Sequence, residues 1–375
     1  MNEQSRKTVC AMAAIAAAVV LAISMSAPSA GAQAPGQKIE EAFKNIQALK
    51  GESADMLLPT MVYFEAALGV GCPFCHDPDG NKREVDTDRK RTARRMIQMV
   101  RAANETTFSG AKVVTCMTCH QGRNKPIGVP FVATDQAPPA LGEAYVDAMP
   151  KPSAIPSVTV DQIFSKYMAA LGGADAFQKV SSLTARGAMI QDRPARPFPA
   201  VALEISTKPG KQLVVAGGGQ NATKTAYSGG SGWTGGGAEV RDLRRAELDG
   251  RRLEDVFNIA SQLRELLVNP QVDHPAVVDG REVYVVSART QALPMAKLYF
   301  DKDSGMLVRL VYHTDSIFGP YPTQIDYSDF RDVNGRKVPY TWVIAQTRNR
   351  KFTYVMQNVQ AAAVDDAQFA KPAGR

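Results

Sequence analysis

The chain has 375 residues, long enough for two domains of ordinary size and a targeting segment. Its net charge of +7 is modest, and Lys and Arg are scattered apart from Arg89-Lys90-Arg91 with Arg94 and Arg95. That distribution excludes a nucleic-acid surface. Cysteine and histidine are scarce, five and four in all, so their placement is informative.

At the N-terminus, Arg6 and Lys7 precede an apolar run over residues 9–23, and Ala30-Gly31-Ala32 offers a small-residue cleavage site before Gln33. This pattern predicts a secretory signal peptide over residues 1–32. The run is short and poorly flanked for a membrane span, and a retained N-terminal anchor is the alternative. Cys10 is expected to leave with the signal, so the four cysteines that remain lie in two short motifs. An oxidising, exported compartment such as the periplasm suits that usage.

Residues 37–50 read as an amphipathic helix with Ile39, Phe43, Ile46 and Leu49 on one face and Gly51 as its stop. A second helix is predicted over residues 59–68, with Met61, Phe64 and Leu68 on its apolar face. Gly69 and Gly71 break it just before Cys72-Pro73-Phe74-Cys75-His76. A charged turn follows, then a third helix from residue 87 or 88 to 104, with Ala93, Met96, Val100 and Ala103 on one stripe. Gly110 lies in the loop before Cys116-Met117-Thr118-Cys119-His120.

Both pentapeptides read C-x-x-C-H, the attachment signature of c-type haem. Thiols at i and i+3 lie on one side of a helical turn and reach both vinyl groups as thioethers. The histidine that follows presents its imidazole to the iron. By composition, one such pentapeptide arises by chance in roughly one chain in a thousand. The competing readings are a four-cysteine zinc site and a pair of disulfides. Zinc ribbons space their pairs ~15–20 residues apart and need no histidine in phase with each. Two covalent haems are therefore expected, held by Cys72 and Cys75 and by Cys116 and Cys119, with His76 and His120 as proximal ligands.

The arrangement is an internal repeat: a Met-bearing helix, a turn, then C-x-x-C-H, used twice. A thioether on the preceding helix supplies the ligand a six-coordinate iron needs. Met61 is the methionine of the first helix, and Met96 and Met99 compete at the second, about 60° apart on its surface. Core filler is the competing role for a helical methionine. It weakens here because the remaining histidines, His274 and His313, are far along the chain.

These stretches resemble the cytochrome subunit of the photosynthetic reaction centre. The resemblance rests on Leu58-Pro59-Thr60-Met61 ahead of Gly69-Val70-Gly71-Cys72, on Thr92-Ala93-Arg94-Arg95-Met96-Ile97-Gln98-Met99, and on Val114-Thr115-Cys116-Met117-Thr118-Cys119-His120-Gln121-Gly122. It implies Met96 over Met99 as axial ligand, and low-spin Met/His haems passing single electrons at the outer face of the cytoplasmic membrane. The expected partners are redox donor and acceptor proteins, a membrane-bound reaction centre or a respiratory complex among them. Members of that family carry four haems where this chain has motifs for two. They also have a histidine in the loop that here spans residues 104–112, and a lipid-attachment cysteine; both are absent. Arg123, just past the second motif, is placed to pair with a propionate, with a solvated surface role as the alternative. The basic helix is read as a solvated face before a docking site for an acidic partner.

A Pro- and Ala-rich linker is predicted over residues 133–157. Thr159-Val160-Asp161 caps a helix to residue 171, and a short helix follows near residues 174–180. Strand-like segments then include 297–300, 307–312, 324–327, 338–343 and 352–359, with Asn334-Gly335 as a hairpin signal and one helix over 252–267. The opening helix and the strands that follow resemble the periplasmic lipoprotein-carrier fold. Such a sheet cradles an acyl chain or closes on its own core, and the core is favoured because no polar constellation converges in the sequence. Gly217-Gly218-Gly219 and Gly235-Gly236-Gly237 read as flexible turns, and His274 and His313 as structural.

The expected fold is multidomain: a mostly α multihaem cytochrome c domain over residues 33–132, the linker, and an α+β, β-rich, open half-barrel-like domain over 158–375. The expected function is single-electron transfer by an exported dihaem cytochrome. It is not an enzyme, since fully coordinated irons leave no open position. The alternatives are a haem enzyme or sensor with one five-coordinate iron, and a lipid-binding periplasmic protein with lipid or membrane-surface contact through its C-terminal domain.

Overall fold

The computed structural model describes residues 36–76, 82–126, 154–192, 199–219, 222–236, 239–347 and 350–372. The predicted signal peptide, the first part of the turn after the first motif (residues 77–81) and nearly all of the predicted linker lie outside the described residues. The first described helix, α1 (Ile39–Ala42), is a single turn, so the helix predicted over 37–50 is largely wrong. Tertiary bonds override its amphipathic period. Asn45 takes a left-handed φ of 58° and its amide donates to the Glu84 carbonyl and to Asp86. Upstream, Ile39 N–H donates to Glu52 O at 2.9 Å, folding the segment back so that Ile39 is fully buried.

Helix α2 (Leu57–Leu68) follows a 3-10 turn and stops at Gly69, whose φ of 62° is left-handed. A Cβ there would lie 1.9 Å from the Gly122 carbonyl oxygen, so only glycine allows this approach. Helix α3 (Asp88–Phe108) starts at Thr87, whose hydroxyl accepts from Lys90 N–H, and runs four residues past its predicted end. Helix α4 (Cys116–His120) is the second motif itself.

The C-terminal half opens with α5 (Val160–Ala170), set by a Thr159–Gln162 capping box, and α6 (Gly173–Lys179). Six strands follow: β1 (Leu183–Asp192), β2 (Val201–Lys208), β3 (Lys211–Ala216), β4 (Thr223–Ser228), β5 (Ser231–Gly236) and β6 (Glu239–Asp242). After α7 (Arg245–Leu253) and α8 (Ile259–Leu266) come β7 (Val268–Val278), β8 (Arg281–Arg289) and β9 (Ala296–Asp301). The last are β10 (Leu307–Ser316), β11 (Gly319–Val333), β12 (Arg336–Thr347) and β13 (Arg350–Ala361).

All pair antiparallel in one sheet of order β6-β5-β4-β3-β2-β1-β13-β12-β11-β10-β9-β8-β7. The chain leaves one edge at β6 and re-enters at the other at β7, and α7 and α8 make that crossing. Leu253, Ile259 and Leu263 of these helices bury against Leu298, Leu310 and Ile325 of the sheet. A single helix was predicted over 252–267; two form, broken where Asp255 and Asn258 turn inward. The first glycine run lies in the β3–β4 connection, but Gly235 and Gly236 end β5 rather than forming a turn.

The two halves share a core. Ile317, Phe318 and Tyr321 at the β10–β11 turn pack with Ile39, Val62, Tyr63, Ala67 and Ile97. Ile317 N–H also donates to Thr60 Oγ1 at 3.3 Å. Among the described residues, no helix is long and apolar enough to cross a membrane.

Candidate functional site

Gly71, extended, leads into a 3-10 turn, Cys72–Phe74, with Pro73 in its first positions. His76 N–H donates to Cys72 O at 3.0 Å, which closes the turn. The start of α3 braces it: Thr87 Oγ1 donates to Cys75 O at 3.0 Å, and Arg89 donates to Phe74 O while stacking 4.0 Å above the Phe74 ring. The second motif is braced by α2 instead. Gly122 N–H donates to Ala67 O at 2.9 Å, and Met117 N–H reaches Tyr63 Oη at 3.5 Å. Each motif thus leans on the Met-bearing helix of the other repeat, and the two units interlock.

The histidines are set alike. His76 Nδ1 lies 3.2 Å from Arg83 O, and His120 Nδ1 lies 2.9 Å from Arg123 O. A carbonyl only accepts, so Nδ1 carries the hydrogen in each ring and Nε2 keeps its lone pair. Burial pushes the His76 imidazole below the usual histidine range, and Lys90 and Arg83 act in the same direction against the Arg83 carbonyl bond. Arg123, read as a propionate partner or a surface residue, contributes through its backbone carbonyl.

Of the four motif cysteines, Cys72 and Cys119 are exposed and Cys75 and Cys116 half-buried. Burial pushes the Cys116 thiol up to about 11 and raises Cys72 and Cys75 as well. Among the described residues no three His, Cys, Asp or Glu side chains gather as a metal site, so the thiols stand as two separate pairs.

Met61 is half-buried beside the shared core. On α3 the buried face carries Ile97, Val100 and Asn104, which rotates the predicted stripe. Met96 and Met99 are consequently on outward positions, 38% and 50% exposed. The donor set fits covalent haem: a thiol pair one turn wide, an adjacent imidazole with Nε2 free, and thioethers on helices that touch the motifs.

Sequence reasoning missed three residues here. Asn104 donates to Val114 O and accepts from Val114 N–H, at 2.7 and 2.8 Å, pinning the chain as it enters the second motif. Glu65 is 6% exposed and accepts the Cys72 thiol at 2.8 Å, while Arg350 of β13 approaches it. No local pattern marks any of the three. The basic helix is tied to its own surroundings through Arg91–Asp88, Arg94–Asp86 and Arg101–Glu52.

In the sheet half, the expectation that no polar groups converge is corrected. Asp255, fully buried, accepts from Tyr227 Oη at 2.7 Å and Gln212 Nε2 at 2.9 Å, with Thr207, Asn258 and Gln262 around it. Arg336, also buried, donates to Val180 O, Phe257 O and Asn258 Oδ1 and stacks over Phe177. Asp255 and its donors form a structural knot, and Arg336 is tied to it through Asn258, with its own Nε left without a hydrogen-bond partner among the described residues.

Residues 6–187 match the family model of the photosynthetic reaction centre cytochrome C subunit. The haem-motif half of the chain resembles that family. One curated relative, the photosynthetic reaction center cytochrome c subunit of Thermochromatium tepidum, is 37% identical over 99 residues, 25% of this chain and 24% of the relative. Cytochrome c-554 of Chloroflexus aurantiacus is 31% identical over 129 residues, 30% of each chain. The chain thus spans about a quarter to a third of the length of these curated relatives. The sheet half is similar to a LolA superfamily protein from Nitrosomonas europaea, with TM-score 0.44 and 13% identity over 57% of this chain and 99% of that one. A lipoprotein-sorting protein domain from Vibrio parahaemolyticus gives 0.41 and 12% over 56% and 94%.

Proposed function

We propose that the protein is an exported dihaem c-type cytochrome that carries single electrons between redox partners. The observation that carries this reading is the pair of C-x-x-C-H turns in which each histidine bonds a backbone carbonyl through Nδ1 and keeps Nε2 for iron. The likeness to reaction-centre cytochromes over residues 6–187 supports it independently.

Bound haem supplies a one-electron Fe(III)/Fe(II) couple. The chain's contribution is attachment, orientation and electrostatics. Cys72, Cys75, Cys116 and Cys119 provide the tethers, and His76 and His120 the proximal nitrogens. Met61 and Met96 are the proposed distal sulfurs. Interlocking of the motifs with α2 and α3 fixes both sites in one rigid body, so little rearranges when charge changes.

Export to the outer face of the cytoplasmic membrane fits a cofactor attached after translocation. A reaction centre or a respiratory complex is the partner class this placement serves. The sheet closes on its own core, with Phe164 and Tyr167 of α5 and Leu263 of α8 buried against it. That packing supports a structural or docking role for the C-terminal half over carriage of an acyl chain.

Optical spectra during a redox titration test the reading. Two low-spin one-electron waves are the expected result. High-spin bands in the protein as purified would favour an enzyme or sensor with a five-coordinate iron.

A further inference from the structure

Glu65 and Arg350 come from opposite ends of the chain and meet beside the first motif. Glu65 lies one turn past Met61 on α2, and its side chain is almost fully buried. One carboxylate oxygen accepts the Cys72 thiol at 2.8 Å. The other has no hydrogen-bond partner among the described residues and faces the Arg350 guanidinium at 3.7 Å. Arg350 is in turn held by a 3.3 Å bond from its Nε to Gln346 Oε1. A buried carboxylate with so few partners is costly, and an apolar side chain would pack this spot more cheaply. Its charge is therefore the property that needs a use.

We infer that Glu65 lowers the reduction potential of the haem tethered at Cys72, and that Arg350, reaching over from the sheet half, offsets it. The inference rests on the dihaem reading above. Attachment adds the Cys72 S–H across a vinyl double bond; sulfur bonds one carbon, the thiol hydrogen goes to the other, and no oxidant is needed. The thioether sulfur then has no hydrogen to donate. The Glu65 carboxylate then lies beside the tether with Arg350 as its facing cation. A fixed negative charge favours the oxidised, more positive iron, and a nearby cation opposes that preference. The sheet half thereby tunes the haem tethered at Cys72.

The test uses the full chain, matured in a host that attaches c-type haem, as Glu65→Gln, Arg350→Gln and the double variant. Intact mass first establishes the haem count, and a redox titration then resolves the two waves. Glu65→Gln is expected to shift the reduction equilibrium of one haem about tenfold toward the reduced form, which is about 59 mV for a one-electron couple. Arg350→Gln is expected to shift the same wave the opposite way, and the double variant to fall between. Opposite signs on one wave are what a merely structural role would not produce. Arg350 is only partly buried, so its variant keeps the test open if Glu65→Gln fails to mature. Two haems with unmoved waves, or shifts of equal sign on both waves, would overturn the inference alone. Protein without haem would overturn the cytochrome reading and this inference with it.

Discussion

Phe318, at the tip of the β10–β11 hairpin, stacks on Phe64 of α2 with ring centroids 5.5 Å apart and planes 30° from parallel. Arg101 of α3 lies over the same Phe318 ring at 5.7 Å. A turn of the sheet half therefore completes the core of the haem-motif half. Phe318→Ala is expected to cost about 3–5 kcal/mol, the usual loss for a buried phenylalanine. Both tryptophans, Trp233 and Trp342, lie in the sheet half. Their fluorescence and the haem absorption are expected to change in one coincident denaturant transition, since the core is shared. Two separated transitions would contradict that coupling.

Met61→Ala and Met96→Ala are each expected to convert one of two haems to a high-spin spectrum. Met99→Ala should leave both low-spin. The outward position of both α3 methionines makes Met99 the informative control. A spectral change confined to Met99→Ala would move the distal ligand by one turn of helix.

At the start of α7, Glu247 grips Arg241 through two bonds of 2.8 Å and accepts the Arg244 backbone N–H at 3.0 Å. Burial alone would raise its carboxyl, but the bonds from Arg241 and Arg244 outweigh it and hold the carboxyl at about 2. The unfolded value is 4.5. A lowered acid contributes stability that is fully present above the unfolded value and fades as pH falls toward about 2. Glu247→Gln is expected to cost roughly 1–2 kcal/mol at neutral pH. That difference should shrink steadily below pH 4.5 in urea titrations, and a pH-independent gap would refute the assignment.

Asp255→Ala should destabilise the sheet half by about 3–5 kcal/mol, because it strands the donors of Tyr227, Gln212 and Asn258 in the core. Asp255→Asn keeps an acceptor oxygen and should cost less. Equal losses in equilibrium unfolding would mean that packing, not the polar knot, holds the helix break.

The motifs, α2, α3 and the late strands were legible in the sequence because their signals are local. C-x-x-C-H is contiguous, and Asn334-Gly335 falls at the β11–β12 turn as its residues demand. The segment around Asn45 misled because its apolar spacing is helical while its partners, Glu84 and Asp86, are distant in sequence. Glu65 meets Arg350, and Asp255 meets Gln212 and Tyr227, only after the sheet has formed. Such meetings leave no periodic trace. The insertion of Ile317 and Phe318 beneath α2 was hidden for the same reason: two apolar turn residues look alike whether exposed or docked.

Covalent haem at two places is the claim on which the rest depends, and intact mass combined with a pyridine-haemochrome assay measures it directly. Full-chain protein matured with c-type haem should carry two haems, and a Cys116→Ala, Cys119→Ala variant should carry one. Colourless protein, or wild-type protein heavier by a single haem, would contradict it.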